Sequence, residues 1–291
     1  MNQPMRAVMI GELARRALSD GATGKVMGVT SKGMFLAAGE RILFVTDADY
    51  KSPFNIQVPE YTNAAAGLEA GETWRFDSGE LIFGSQAIRI DIGNAQTWQL
   101  TPPPEMLTSI SDQLARMEGL LRRTAAIDPS KGWLFLAVPS ASNGLGDESE
   151  GTRIRRMTAD FLNSVKREDL EGSLEQARSI LGRGGGLTPS GDDWLSGFLL
   201  YHARSGGKTP FLRDLETSLT AMAIERTTKI SANRIEAVCQ GRAEELFLEV
   251  IDHLFDPQRE FSDLQVKRLV NFGHSSGVDT CVGIWAALAI N

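Results

Sequence analysis

The chain has 291 residues, 42% hydrophobic and 23% charged, with a formal net charge of -7 and a sequence pI near 5.2. That is enough material for one large or two ordinary domains, and the acidic balance argues against general binding to nucleic acid or an anionic membrane, leaving small molecules and proteins as partners. It contains no apolar run of about 20 residues and no signal-peptide pattern at its start, so a cytoplasmic protein with no membrane role is expected.

Arg6 to Leu18 reads as a short amphipathic helix closed near Gly21. From there to about residue 100 the pattern is one of short strands: Lys25–Thr30, Met34–Ala37, Arg41–Thr46, Asn55–Val58, Thr73–Phe76, Leu81–Phe83, Ala87–Ile92 and Thr97–Leu100. Turn signals such as Gly39-Glu40, Asp77-Ser78-Gly79 and Gly93-Asn94 separate them, as hairpins require. Ile88-Arg89-Ile90-Asp91-Ile92 alternates with period two, which predicts one buried and one wet face. The run Pro102-Pro103-Pro104 continues neither a strand ladder nor a helix interior and marks a domain boundary. After it the period turns helical: Met106–Arg123, Thr152–Lys166, Leu170–Leu181, Asp192–Arg204, Phe211–Thr227, Ala232–Gln240, Ala243–Phe255, Ser262–Asn271 and Ser276–Ile290. Gly132–Val138 fits a strand or a buried helical turn, and Asn143–Gly151 a polar loop. The expected fold class is α+β, with an antiparallel β-rich domain over residues 1–103, a sandwich or partial barrel, followed by a mostly α-helical domain over 104–291.

Candidate chemistry gathers in three stretches of the helical half. In Gly182-Arg183-Gly184-Gly185-Gly186-Leu187-Thr188-Pro189-Ser190-Gly191-Asp192-Asp193 the glycines permit positive φ and close approach. Thr188 or Ser190 can cap the following helix, Ser190 with Asp193 having the form of a capping box. Ser276-Gly277-Val278-Asp279-Thr280-Cys281-Val282-Gly283 repeats the pattern S-G-x-D-x-x-x-G of Ser190 to Gly197. Two readings of that repeat are open. In one, Ser caps, Asp favours the positive helix end and the later Gly allows close helix packing. In the other, two helix starts converge on a pocket for an anion or a metal, with Asp192, Asp193 and Asp279 as oxygen ligands to a cation such as Mg²⁺. The third stretch, Arg226 to Arg234, offers Thr228 and Ser231 hydroxyls and the cations of Lys229 and the arginines to an anion. His274, in a polar glycine-rich setting, is the candidate proton donor, whereas His202 and His253 sit among apolar neighbours and read as structural. Cys239 and Cys281 read as core thiols. A G-x-x-x-x-G-K-[ST] loop and a G-x-S-x-G nucleophile elbow are both absent.

In their order and spacing, Gly184-Gly185-Gly186-Leu187-Thr188-Pro189-Ser190-Gly191-Asp192-Asp193, Thr227-Thr228-Lys229-Ile230-Ser231 and Gly273-His274-Ser275-Ser276-Gly277-Val278-Asp279 resemble the AllH-like family. That family includes a subunit associated with heteromeric oxamate carbamoyltransferase in anaerobic allantoin breakdown, alongside two larger partner proteins. The resemblance implies a transferase subunit of purine catabolism, other protein subunits as partners, and a small anionic substrate. Under it, His274 and Ser190 would be catalytic, with Gly184, Gly185, Gly186, Thr188, Ser190, Gly191, Thr228, Lys229, Ser231, Ser275 and Ser276 as ligand contacts. The family loop usually has proline where this chain has Gly185, a change expected to loosen the loop. The Ser-Thr-Arg-Thr phosphate loop of ordinary carbamoyltransferases is missing, as for an accessory subunit. Two other classes compete: a Mg²⁺-dependent hydrolase, since the aspartates and Asp279-Thr280 weakly resemble the ADP-ribosylglycohydrolases, and a non-catalytic scaffold.

Overall fold

The computed structural model describes residues 4–59, 61, 68–84, 88–142 and 148–290. The chain divides into two compact units, Met1–Thr101 and Pro102–Asn291. Ala87 of one expected strand and residues 143–147 of the expected polar loop lie outside the described residues.

The first unit is a curled mixed sheet, a half-barrel, with a short helix near its start. Its elements are β1 (Met5–Arg6), β2 (Met9–Gly11), α1 (Glu12–Ala17), β3 (Thr23–Thr30), β4 (Gly33–Ala38), β5 (Arg41–Thr46), β6 (Asn55–Gln57), β7 (Thr73–Asp77), β8 (Glu80–Phe83), β9 (Ile88–Asp91) and β10 (Gln96–Trp98). The strand order is β1-β9-β8-β7-β3-β4-β5-β6-β2-β10. Consecutive residues explain the curl. Ala7 donates its N–H to Asp91 O at 2.9 Å on β9, and Val8 donates to Gln57 O at 2.9 Å on β6, so one short segment reaches strands far apart in the sheet. A flat sheet cannot meet that condition. Its concave side holds a core that includes Leu36, Val45, Ile56, Trp74, Phe83 and Ile90.

Two expectations change here. The sheet is not purely antiparallel, because β1–β9, β10–β2 and β5–β6 pair in parallel. The expected helix Arg6–Leu18 shrinks to Glu12–Ala17, and the residues before it are extended. Met5, Ala7 and Met9 are buried while Arg6 and Val8 are exposed, a period-two pattern that the apolar Val8 disguises in the sequence.

The second unit is helical: α2 (Ile110–Ile127), a 3-10 turn (Leu134–Leu136), α3 (Glu148–Lys166), α4 (Leu170–Ile180), α5 (Ser190–Arg204), α6 (Pro210–Arg226), α7 (Lys229–Cys239), α8 (Glu245–Phe255), α9 (Asp263–Asn271) and α10 (Ser276–Ala289). Side-chain caps set several starts, with Ser109, Asp169, Thr209 and Thr228 each accepting a backbone N–H and Ser262 closing a full capping box with Gln265. The Ser109 cap explains why α2 begins later than expected, leaving Met106 and Leu107 exposed. At the centre of this unit α5 and α10 are buried along almost their whole length. Among the described residues no helix is long and apolar enough to cross a membrane.

The two central helices cross at glycines. A Cβ on Gly197 would stand 1.9 Å from Thr280 O, and one on Gly283 would stand 2.0 Å from Trp194 O. The contacts are reciprocal, since Trp194 and Thr280 hold the same place in the repeated S-G-x-D-x-x-x-G pattern. The packing role read for the second glycine of each repeat is therefore realised in the backbone.

Candidate functional site

The crossing of α5 and α10 places their first turns side by side. The hydroxyls of Thr188 and Ser276 are 2.9 Å apart and those of Ser190 and Ser275 3.5 Å apart. Of the other expected ligand residues, Gly184, Gly185, Gly186, Lys229 and His274 are exposed and Thr228 is half-buried. Gly191 and Ser231 lie deeper; a Cβ on Gly191 would sit 2.1 Å from Ile180 O, so this glycine serves packing against α4.

The glycine loop is held in a defined path. Gly182, Gly184 and Gly186 take φ of 74°, 113° and 87°, the left-handed region that other residues avoid. Gly185 lies outside that region with open space where a Cβ would project, so glycine is not demanded there. Asp192 ties the loop to the turn before α7: its Oδ1 accepts the Gly182 N–H at 2.8 Å and its Oδ2 accepts the Thr227 hydroxyl. The neighbouring Thr228 hydroxyl donates to Leu187 O at 2.7 Å. Two of the three sequence stretches thus meet through side-chain bonds, and the third joins through the paired hydroxyls.

Neither helix start is capped as the sequence suggested. Ser190 is the first residue of α5 rather than its cap, Pro189 precedes it without a side-chain bond, and the Ser190–Asp193 capping box does not form. Backbone carbonyls do the capping instead. The Gly191 N–H goes to Arg183 O at 2.9 Å, and those of Asp192 and Asp193 to Pro189 O at 2.9 and 3.1 Å. In α10 the Gly277 N–H goes to Phe272 O at 3.1 Å, and those of Val278 and Asp279 both to Ser275 O at 2.9 Å. The junction consequently offers hydroxyls, together with the first N–H of each helix at Ser190 and Ser276, rather than a full set of open amides.

Beneath the hydroxyls lie carboxylates. Asp193 is 1% exposed and Asp279 fully buried. Arg234 donates to Asp193 Oδ1 and, from its other terminal nitrogen, to Thr280 Oγ1 at 3.0 Å; its Nε stands 3.5 Å from Glu244 Oε2 and its guanidinium lies 5.0 Å over the Phe247 ring. Asp279 Oδ1 accepts the Trp133 N–H at 2.6 Å, packed on Gly132, where a Cβ would fall 2.2 Å from that oxygen. The Ser276 hydroxyl faces Asp193, and the Ser275 and Ser190 hydroxyls face Asp279, each favouring the charged carboxylate.

Burial dominates their titration. It pushes Asp193 up to about 7 despite the opposing Arg234, with the nearby Asp279 adding to the rise. Asp279 is pushed up to about 6, opposed by the Trp133 N–H. Asp192 is raised too, again by burial, with the Gly182 N–H and Thr227 hydroxyl working against it. The metal expectation grouped these three residues, yet each turns to a different protein partner, and among the described residues no group of three His, Cys, Asp or Glu is arranged to hold a metal ion. Sequence reading missed two participants. Arg234 was read as part of an anion-holding cluster, but it is buried and committed to Asp193. The Gly132-Trp133 backbone meets Asp279 from far away in sequence, and no side-chain signal points to it.

All three stretches fall within a single match to a known family. Residues 180–288 match the family model of the oxamate carbamoyltransferase subunit AllH. The resemblance read from the motifs holds over that span, which runs from the end of α4 into α10. No solved structure matches the chain.

Proposed function

We propose that this chain is a subunit of a heteromeric oxamate carbamoyltransferase, and that the hydroxyl-lined junction of α5 and α10 binds a small anionic ligand. The match of residues 180–288 to the AllH family carries the first part. The observation supporting the second is the convergence of Thr188, Ser190, Ser275 and Ser276 at two buried helix starts. Carbamoyl transfer interconverts oxamate and carbamoyl phosphate with oxalurate and phosphate, so the organic ligands are anions and charge builds on carbonyl and phosphate oxygens. In this reading, hydroxyl donors fixed at helix starts stabilise such charge without reorganising, with Thr228 and Lys229 as further ligand contacts. His274, exposed on the loop before α10, is the proton donor in this reading.

The test is oxamate carbamoyl transfer by the chain alone and by the chain assembled with its partner subunits. Activity is expected only in the assembly. Ser190→Ala is expected to lower kcat/KM of the complex by about 10²-fold or more, the usual cost of losing one oxyanion donor, and His274→Ala by about 10²-fold. If both variants keep full activity in an intact complex, the junction is not the site.

A further inference from the structure

A second feature stands apart from the hydroxyl junction. The facing sides of α3 and α4 form an open cleft of about 430 Å³ whose lining includes Arg153, Arg156, Asp160, Gln176, Ser179 and Arg183. Arg153, Arg156 and Asp160 follow a helical three-four spacing along α3, and Gln176 and Ser179 do so along α4, so both helices turn a polar face to the same space. Arg183 comes from the glycine loop itself.

Two of the guanidinium groups already converge on one anionic point. Glu150 takes Arg183 on Oε1, and its Oε2 stands 3.4 Å from Arg153. Arg156 lies further along the same cleft, exposed, and among the described residues it makes no ion pair. Three planar forks around one cavity suit an oxyanion with several acceptor oxygens better than a single carboxylate. Asp160 in the lining and Glu150, which pairs with Arg153 and Arg183 from beside it, oppose them and fit a weakly held, exchangeable ligand. Gln176 and Ser179 add neutral hydrogen-bonding groups.

From this geometry we infer that the α3–α4 cleft is a binding site for a phosphate group, with Arg153, Arg156 and Arg183 as its ligands and Glu150 as the internal anion that an incoming phosphate displaces. The site does not depend on the transferase reading. Because Arg183 sits between Gly182 and Gly184, phosphate in the cleft competes with Glu150 for a residue of the glycine loop.

Titration calorimetry of the full chain with inorganic phosphate, at ionic strength held constant with sodium chloride, tests it. Saturable binding is expected, weakened at least tenfold in Kd by Arg156→Ala and tightened severalfold by Glu150→Gln. Arg156 is exposed, so its variant remains informative if the Glu150 variant fails to fold. Non-saturable heat, or equal Kd in wild type and Arg156→Ala, overturns the proposal. So does loss of phosphate binding in Ser190→Ala alone, which would place the anion at the α5–α10 junction. Phosphate binding unaffected by Arg156→Ala, with loss of partner assembly in that variant, would make the cleft a protein contact instead.

Discussion

Asp279 shows what a fully buried carboxylate does to the pH response of the fold. Its ordinary value of 3.8 is raised to about 6, and that of Asp193 to about 7, chiefly by burial. Between pH 4 and these values the folded chain keeps protons that the unfolded chain has released. The stability they contribute is therefore complete below about pH 4 and is lost as pH rises toward 7. Asp279→Asn retains an oxygen for the Trp133 N–H and removes the titration. Urea unfolding of this variant is expected to show a smaller difference in stability between pH 4.5 and pH 7 than wild type; an unchanged difference would mean that Asp279 is not the proton holder. That acids occupy both helix starts was legible in the sequence. Their partners were not, because Gly182, Arg234 and Trp133 are brought to them by tertiary packing rather than by local spacing.

At the scale of elements, the crossing of α5 and α10 depends on the absence of two side chains. Gly197→Ala and Gly283→Ala would each force a methyl group onto a carbonyl about 2 Å away, at 1.9 and 2.0 Å. Overpacking of this kind costs about 1–3 kcal/mol or more. Either variant should lower Tm by several degrees, whereas Gly207→Ala, with nothing within 4 Å of its Cβ, should leave it nearly unchanged. Thermal unfolding of the three proteins side by side checks this, and a neutral Gly197→Ala would mean the helices can part at little cost. The repeat of S-G-x-D-x-x-x-G announced the pair of helices, and the helix periods located nearly every element of the second unit. Capping was the weaker guide. Thr228 and Ser262 cap as short-range rules require, but Ser190 does not, since Pro189 and the glycine loop supply carbonyls to the first turn of α5.

For the molecule as a whole, the chain divides between Thr101 and Pro102, at the start of the proline run. The half-barrel was harder to read because its curl rests on β1 and β2, strands too short to carry a pattern of their own. The helical unit contains its own buried core, centred on α5 and α10. Residues 102–291 expressed alone should therefore give a helical circular dichroism spectrum and a single cooperative urea transition; a gradual, featureless unfolding curve would show that the unit is not autonomous. Within that unit the glycine crossing has a mechanical meaning. Two rods touching backbone to backbone at one level have a fulcrum there, about two turns from the paired hydroxyls. A rigid tilt of either helix about this point would part Ser190 from Ser276 and carry the opposite ends, at Arg204 and Ala289, through the surrounding packing. Treated as rigid rods, the two helix starts would open like the jaws of a forceps hinged at the glycines.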